Sequence, residues 1–162
     1  MTSMSQLLGQ LESILTRTSA QDAALQETLL VILSDFQSET GTIHWLDSEK
    51  QLLHLGAQVG LPPQILEVVK TIPVGKGIAG QTVAQNKPVT ICNLQTDNSG
   101  VTKPGAKQTG IGGALCVPMY RDGKIVGTLG VGTRRQHEYT TEETQRLQDI
   151  ANLIATRISG IQ

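Results

Sequence analysis

The sequence has few aromatic residues, few cysteines and no long hydrophobic segment. Its 162 residues include one tryptophan, one phenylalanine and two tyrosines. The two cysteines, Cys92 and Cys116, are too few for a disulfide framework and are expected to be buried thiols. The longest apolar run, residues 29–33, is far shorter than the ~18 residues that cross a bilayer. These absences exclude a disulfide-stapled secreted domain and a membrane-spanning helix.

The remaining composition is that of one globular domain. Hydrophobic residues make up 38% of the chain and charged residues 17%, as in globular proteins and unlike disordered ones. The length suits one domain with a sizeable core. The N-terminus has no cationic stretch followed by an apolar segment, so we expect no signal peptide, no membrane association and a cytoplasmic location.

Charge is balanced over the whole chain but not along it. The net charge is −1, so no global field attracts nucleic acid or a membrane. Residues 1–50 sum to −5 and residues 101–137 sum to +5. The basic segment would suit an anionic small molecule or an acidic partner, although solvated loop and hairpin charges explain it more simply. Its aromatic content is limited to Tyr120, so we do not expect nucleic acid as a partner.

Hydrophobic periodicity divides the chain into helical and extended segments. Apolar residues at helical spacing predict helices near 4–16, from about 20 to Phe36, and near 141–159. Shorter helices are expected at 62–70 and 78–85, and strands at 42–46, 51–59, 89–92, 113–120 and 124–133. Hairpin signals join the strands at both ends of the chain, which indicates antiparallel pairing. We therefore predict an α+β fold with an antiparallel sheet flanked by helices.

Two local patterns add detail to this prediction. Thr140 followed by Glu143 forms a capping-box pattern that starts the last helix. Residues 93–112 are rich in Asn, Thr, Gly and Lys. They predict a long irregular connection of the kind that is either a functional lid or disordered.

Five segments, in this order, resemble those of GAF domains. They are Ile72 to Gly80 (IPVGKGIAG), Lys87 to Ile91 (KPVTI), Ala114 to Met119 (ALCVPM), Asp122 to Val131 (DGKIVGTLGV) and a closing helix from Glu143 to Ile158. The resemblance spans roughly residues 20–158. It implies a GAF/PAS-like fold: a central antiparallel sheet of five to six strands, with N- and C-terminal helices on one face and a ligand pocket under a lid loop on the other.

The resemblance also implies a class of function, which is small-molecule sensing or dimeric signalling. Cyclic nucleotides, tetrapyrroles, haem, 2-oxo acids and nitrate are all ligands of GAF domains, so the fold does not specify the ligand. We predict a stand-alone bacterial-type sensor of a small anion or metabolite that needs no cofactor and is not an enzyme. A nitrate-receptor GAF protein that acts on a histidine kinase is the precedent for its partner, which is a histidine kinase or another signalling protein. The alternatives are a non-catalytic dimerisation or interaction module with a vestigial pocket and, less favoured, a small redox or hydrolytic enzyme similar to free methionine sulfoxide reductases.

The chain is expected to have two parts, an N-terminal amphipathic helix at 1–18 and a GAF domain at 19–162. The first and last helices each carry an apolar stripe without an obvious full partner inside one subunit. We therefore predict a homodimer that forms through these flanking helices.

Gly75-x-Gly77-x-x-Gly80 matches a dinucleotide-binding pattern. Dinucleotide binding is rejected, because a Rossmann unit needs a buried parallel strand before the motif and the short segment Ile72–Val74 follows a helix. The amides of Ile78 and Ala79 begin the next helix and could receive a carboxylate, nitrate or phosphate. Simple packing of a turn explains the glycines as well.

Four further residues complete the candidate ligand site. Trp45 is the only tryptophan and lies on a core strand, where it either walls a pocket or fills the core. Thr82 on the short helix, with Asn93 and Thr109 in the lid region, could supply polar contacts.

The residues for several known GAF activities are missing. Free methionine sulfoxide reductases carry one cysteine in the glycine-rich stretch and another in the loop before the fourth strand. This sequence has Ala79 at the first place and no cysteine in 93–112, so a nucleophilic and a resolving thiol are not expected. Bilin attachment lacks its cysteine and histidine in the same region, and the N-K-F-D-E signature of cyclic-nucleotide binding is absent.

The spacing of the residues predicts neither a metal site nor a hydrolytic active site. His44 and His54 lie on the first hairpin, and with Cys92 and Cys116 they form no compact ligand pattern. Whether the two histidines share a face depends on the strand register. We recognise no Ser-His-Asp arrangement, carboxylate pair or phosphate-binding loop.

Overall fold

The structure, a computed structural model, describes residues 3–17, 20–92 and 112–158. Five helices and six strands lie within these ranges. Their bounds are α1 (Met4–Arg17), α2 (Gln21–Phe36), β1 (Thr40–Asp47), β2 (Leu52–Val59), α3 (Pro63–Val69), β3 (Thr71–Pro73), α4 (Gly77–Gln85), β4 (Val89–Ile91), β5 (Ala114–Arg121), β6 (Lys124–Gly132) and α5 (Thr141–Arg157).

The strands form one six-stranded sheet in the order β3-β2-β1-β6-β5-β4. All neighbouring strands are antiparallel, so the predicted α+β fold with an antiparallel sheet is confirmed. The β5–β6 hairpin turns through Asp122 and Gly123, which both have positive φ angles of 53° and 78°, as the Asp-Gly pair predicts. The short strand β3 was not predicted. It pairs only with β2, and an edge strand tolerates the missing amide of Pro73.

Helices α1, α2 and α5 cover one face of the sheet, which we call the helix face. Their inward residues are almost completely buried: Leu7, Leu11, Leu25, Leu29, Ile32, Leu147, Ile150 and Ile154. These side chains belong to one hydrophobic cluster with Ile43, Leu115, Val117 and Leu129 of the strands. The apolar stripes of both terminal helices are therefore satisfied within the chain. The premise that they lack a partner in one subunit is wrong, because α1 lies against α2 and α5.

Two ion pairs join these three helices. Arg146 of α5 binds Asp35 of α2 through two parallel hydrogen bonds of 2.7 and 2.9 Å. The Asp35 and Arg146 side chains are only 4% and 12% exposed. Arg157 of α5 also pairs with Glu12 of α1 at the surface. A buried pair of this kind fixes helix positions, since removal of either partner leaves a charge without compensation.

Helices α3 and α4 cover the other side of the sheet, which we call the α4 face. Leu53, Ile65 and Ile72 are buried there, outside the main cluster. Helix α4 lies across β5 and β6. This arrangement puts α4 above the residues of those strands that point away from the helix face.

The connection between β6 and α5 lies against both ends of the segment that joins β4 to β5. The amide of Gly113 donates to the carbonyl of Arg135 at 3.1 Å, and the amide of His137 donates to the carbonyl of Cys92 at 3.1 Å. The chain thus leaves β4 and enters β5 beside the same five-residue stretch, 133–137.

Helix α5 begins with the predicted capping box. The Glu143 amide donates to Thr140 Oγ1 at 3.0 Å, and the Thr140 amide donates to Glu143 Oε1 at 2.9 Å. The Glu143 carboxylate also bonds His137 Nε2, with both oxygens within 3.2 Å. None of the helices in the described ranges combines the length and hydrophobicity needed to cross a membrane.

Candidate ligand-binding site

The glycine motif forms a tight turn into α4. Gly75 and Gly77 have φ angles of +92° and +63°, which glycine adopts without strain. Gly80 packs so closely that a Cβ atom there would lie 2.4 Å from the Pro73 carbonyl oxygen. The preceding strand β3 is an antiparallel edge strand, so the motif lacks the parallel βαβ setting of a dinucleotide site.

The N-terminus of α4 offers two amide donors. Its N-cap residue, Lys76, makes no side-chain capping bond. The Gly80 amide donates to the Lys76 carbonyl at 3.0 Å, and within the described chain no acceptor is present for the Ile78 and Ala79 amides. Unpaired amides at a helix N-terminus favour an anionic or carbonyl oxygen.

One turn further along α4, Thr82 faces a polar cluster on the sheet. Thr82 is 0% exposed, and its hydroxyl donates to the Ile78 carbonyl at 2.8 Å. Cys116 of β5 and Thr128 of β6 lie opposite it. Burial raises the pKa of the Cys116 thiol to about 11, and the neighbouring Thr82 and Thr128 hydroxyls offset only part of that rise. The thiol is therefore protonated at neutral pH.

Thr128 is the residue that the sequence reasoning missed. Its side chain is 1% exposed, and its hydroxyl makes no well-formed hydrogen bond to any described residue. A buried hydroxyl left without a partner costs about 1–3 kcal/mol. The sequence of β6 offers one signal for this residue, since a threonine interrupts a run of glycine and aliphatic residues. Which face of the sheet that threonine occupies, however, depends on the strand register.

The register also places the histidines. His44 pairs with Thr128 across β1 and β6 and is 2% exposed. Its Nε2 atom donates to the Val69 carbonyl at the end of α3, at 2.8 Å. His54 pairs with Trp45 and so lies on the opposite side of the sheet from His44. In the described part of the chain no three His, Cys, Asp or Glu side chains are grouped to hold a metal ion.

Trp45 lies on the helix face. It is 3% exposed and belongs to the main hydrophobic cluster, so the structure places it in the core and away from α4. Gly56, the extra residue where the β1–β2 register shifts, makes room for the ring: a Cβ there would lie 2.6 Å from Trp45 Nε1. Two other candidate residues, Asn93 and Thr109, lie outside the described residues.

Comparison with known proteins decides the family. The sequence model described as GAF domain matches residues 18–159. The chain belongs to the GAF domain family. No curated protein matches the sequence significantly.

Solved structures similar to this GAF domain include GAF domains of larger proteins and free-standing enzymes. The GAF domain of a phosphoenolpyruvate-protein phosphotransferase from Coxiella burnetii aligns with a TM-score of 0.79 at 18% identity, covering 94% of this chain and 90% of that one. The free methionine-R-sulfoxide reductase of Neisseria meningitidis, solved with its substrate, aligns with a TM-score of 0.78 at 20% identity, covering 96% and 88%. A type II reductase from Thermoplasma acidophilum gives 0.68 at 17% identity, covering 90% and 92%.

These enzymes correct one expectation from the sequence. The prediction that the chain is not an enzyme is contradicted, because solved structures of the same fold include free methionine-R-sulfoxide reductases, which are enzymes. At about 20% identity the likeness shows the fold alone.

The two thiols of this GAF domain lie far apart along the sheet. Cys116 pairs with Val89, whereas Cys92 is exposed three residues further on. Three strand residues span about 10 Å, and a disulfide needs Cα atoms within about 7 Å. A bond between these two cysteines would therefore require the strands to move.

Proposed function

We propose that this GAF domain binds a small molecule with an anionic or carbonyl group between α4 and the sheet, and that binding acts in signal transduction. The observation that carries the proposal is the buried Thr128 hydroxyl, which makes no well-formed hydrogen bond within the described chain and has at most a weak one with the neighbouring Cys116 thiol. Oxygen atoms of a ligand, or a water bound with it, would satisfy this group.

The other contacts support a ligand with an oxygen at one end. The Ile78 and Ala79 amides begin α4 one helical turn from Thr82, which is about 5.4 Å along the axis. A carboxylate or nitrate at these amides would be stabilised by the helix dipole. His44 and Cys116 would then lie on the side of the ligand that faces the sheet. Asn93 and Thr109 remain proposed contacts from the connection between β4 and β5.

A thermal-shift screen tests this proposal. The panel holds nitrate, nitrite, 2-oxo acids, amino acids, cyclic nucleotides and tetrapyrroles. A ligand at a hundred times its dissociation constant adds about 2.7 kcal/mol of stability, which raises the melting temperature of a domain of this size by roughly 5–10 °C. Failure of the whole panel would contradict the sensor and favour an interaction module.

A matched pair of variants then locates the site. Thr128→Val removes the buried hydroxyl and keeps the side-chain shape, so it should raise the stability of the free domain by about 1 kcal/mol. It should also weaken the ligand about 3–10-fold, because a ligand hydrogen bond is lost. The control, Thr90→Val, lies on the exposed side of β4 and should change neither value. Unchanged affinity in Thr128→Val would place the ligand elsewhere.

A second candidate function is reduction of free methionine-R-sulfoxide, because Cys116 faces the same α4 site. Its raised pKa works against this activity, since only about one thiol in ten thousand is ionised at pH 7. Incubation with methionine-R-sulfoxide and dithiothreitol, followed by quantification of methionine, tests it directly. Turnover that disappears in Cys116→Ala and persists in Cys92→Ala would establish the enzyme.

We infer that a signalling domain of this kind passes its state to another protein, and a histidine kinase remains the proposed partner. Co-purification of the domain with candidate kinases, in the presence and absence of the ligand found above, tests this step. Equal capture under both conditions would contradict ligand-dependent signalling.

A further inference from the structure

The residues of the α4 site are almost completely buried. Thr82, Cys116 and Thr128 have nearly no exposed surface, and helix α4 lies across β5 and β6 above them. A small molecule reaches a buried site only when a covering element moves. The attachments of α4 therefore bear directly on how the site is reached.

Helix α4 is held to the sheet by little apolar contact. Its buried residues are Gly80 and Thr82, which contribute no large apolar side chain. Helix α2, by comparison, buries Leu25, Leu29 and Ile32. Elements that bury few apolar side chains open locally at a lower free-energy cost than the rest of a domain. Hydrogen bonds at its two ends consequently provide much of what keeps α4 in place.

The N-terminal end of α4 is fixed within its own glycine turn. The Gly75 amide donates to the Gly80 carbonyl at 2.9 Å, and Gln81 Nε2 donates to the Gly75 carbonyl at 2.7 Å. Gly80 also packs against the Pro73 carbonyl. A Cβ atom at Gly75 would have no neighbour within 4 Å, so the chain has room to turn at this residue. This end of α4 has the properties of a pivot.

The C-terminal end of α4 is fastened to the sheet by a side chain. Its C-cap residue, Asn86, has a left-handed backbone with a φ angle of 54°. Tyr120 Oη donates to Asn86 Oδ1 at 2.7 Å. Because Tyr120 lies near the end of β5, this hydrogen bond, which we call the latch, joins α4 to the strand that carries Cys116.

Tyr120 is itself held from the other side of the sheet. Its amide donates to Asn152 Oδ1 of α5 at 3.3 Å. The next residue, Arg121, donates from Nε to the Ala155 carbonyl at 2.6 Å. Since α5 packs in the main hydrophobic cluster, these bonds keep the tyrosine in place. When the latch breaks, the element that moves is α4.

We propose that the latch between Tyr120 and Asn86 controls access to the α4 site, and that α4 opens by turning about Gly75. The opening lifts Thr82 away from Cys116, which lies opposite it, and brings the thiol into contact with solvent. The latch regulates the passage of a ligand, and in this respect the inference rests on the proposed function.

The opening is limited by the chain that follows α4. Only residues 86–88 separate α4 from β4, whose three residues pair with β5. The C-terminal end of α4 therefore moves only as far as this short connection allows, and the site admits small molecules but not macromolecules. Iodoacetamide, a thiol reagent of a few heavy atoms, is the probe that suits such an opening.

The test is the rate at which iodoacetamide labels Cys116 in ligand-free protein. Every protein in the series carries Cys92→Ala, so that Cys116 is the only thiol and mass spectrometry follows its alkylation. Tyr120→Phe removes the donor of the latch and keeps the ring. The labelling rate should rise about 3–10-fold, because the loss of one exposed hydrogen bond shifts the opening equilibrium by about that factor.

A second variant breaks the latch from its other side. Asn86→Gly removes the acceptor and keeps the helix end, because glycine adopts the left-handed conformation of a C-cap without strain. It should raise the labelling rate over the same range. The double variant should exceed the faster single variant by less than about twofold, since both changes break the same bond.

Tyr139→Phe is the matched control. It also removes one tyrosine hydroxyl, but Tyr139 belongs to the main hydrophobic cluster and takes no part in the latch. Its labelling rate should equal that of the protein with both tyrosines. Urea denaturation gives the global stability of each variant, and the two latch variants should label faster than global unfolding allows.

The outcome is separate from that of the ligand screen. Labelling needs no ligand, so a failed screen leaves the latch measurable. A failed latch, in turn, leaves the affinity comparison at Thr128 unaffected.

The proposal is overturned by unchanged labelling in Tyr120→Phe and Asn86→Gly, which would mean that the site is reached by another route. An equal rise in Tyr139→Phe would overturn it as well, because it would show a general loosening of the domain. So would a double variant whose effect is the product of the two single effects, or labelling of Cys116 that follows global unfolding in every protein.

Discussion

The helix face of the sheet is filled by large aliphatic side chains, whereas the α4 face presents small polar ones beneath a short helix. On the helix face, leucine and isoleucine side chains from three helices interlock with the strands, and the Asp35–Arg146 pair is satisfied by two hydrogen bonds. On the α4 face, His44, Thr82, Cys116 and Thr128 are buried, and the hydroxyl of Thr128 makes no well-formed hydrogen bond in the described chain. The comparison indicates that the helix face supplies most of the hydrophobic stabilisation, whereas the α4 face buries small polar side chains.

Loss of the buried ion pair should give the largest effect. Asp35→Ala leaves the Arg146 guanidinium in a nearly buried position without its carboxylate, and we expect the free energy of unfolding to fall by about 3–5 kcal/mol. Urea denaturation measures this. A loss below 1 kcal/mol would mean that the helix face does not depend on the pair.

The same variant sharpens the comparison between the faces. Asp35→Ala should leave the affinity of the α4 site unchanged in the temperature range where the domain remains folded, because the two sites lie on opposite sides of the sheet. A parallel loss of ligand affinity would show that the faces are coupled.

Ionisation of Cys116 should make the stability of the domain depend on pH in the alkaline range. The unfolded thiol ionises near pH 9.0, whereas burial raises the folded pKa to about 11. The unfolded state therefore binds fewer protons between these values, and stability should fall as pH rises from about 9 to 11, by about 2–3 kcal/mol in total. The pH dependence of urea midpoints in wild type and Cys116→Ala isolates the thiol, since Tyr139 is present in both. Identical slopes would contradict the assignment.

A substitution at Gly56 tests how closely the helix face packs around Trp45, the only tryptophan of the sequence. Gly56→Ala places a Cβ atom 2.6 Å from Trp45 Nε1, so the ring or the strand must shift, at a cost of about 1–3 kcal/mol. The fluorescence maximum of Trp45 should move to longer wavelength if the ring moves toward water. Gly9→Ala is the control, because a Cβ there has no neighbour within 4 Å.

The smallest effect is expected at the start of α5, at the capping box of Thr140 and Glu143. Burial alone would raise the pKa of Glu143, but hydrogen bonds from Thr140 and the nearby His137 lower it below the usual 4.5. Its contribution is thus present above pH 4.5 and is lost as the pH falls through the lower folded pKa. Glu143→Gln should remove this acid sensitivity and change stability at pH 7 by under about 1 kcal/mol. Thermal melts of both proteins between pH 3 and 7 measure the difference.

The sequence predicted the helices and most strands because their signals are local. The capping box at Thr140, the Asp-Gly turn at Asp122 and the apolar period of α2 depend only on neighbouring residues. Strand β3 was missed because three residues with a proline carry no alternation, and its pairing with β2 arises from tertiary contacts.

The site was harder to predict because it depends on direction across the sheet. Trp45 and His44 are adjacent in sequence, yet they point to opposite faces, and the register shift at Gly56 puts His54 on the face of Trp45 and not on that of His44. The same alternation sends Thr128 toward α4 while Leu129 enters the core. Thr82 was identified correctly as a residue of the α4 helix, because its helical position follows from the glycine turn and the local period.

The paired bonds at Gly113 and His137 bear on how such a domain can diversify. They hold the two ends of the β4–β5 connection about one strand spacing apart, and neither bond uses a residue from within 93–111. Doubling the length of a loop between fixed ends costs only about 0.6 kcal/mol. That stretch can therefore be exchanged or lengthened at little cost in stability, while the pairing of β4 with β5 is kept.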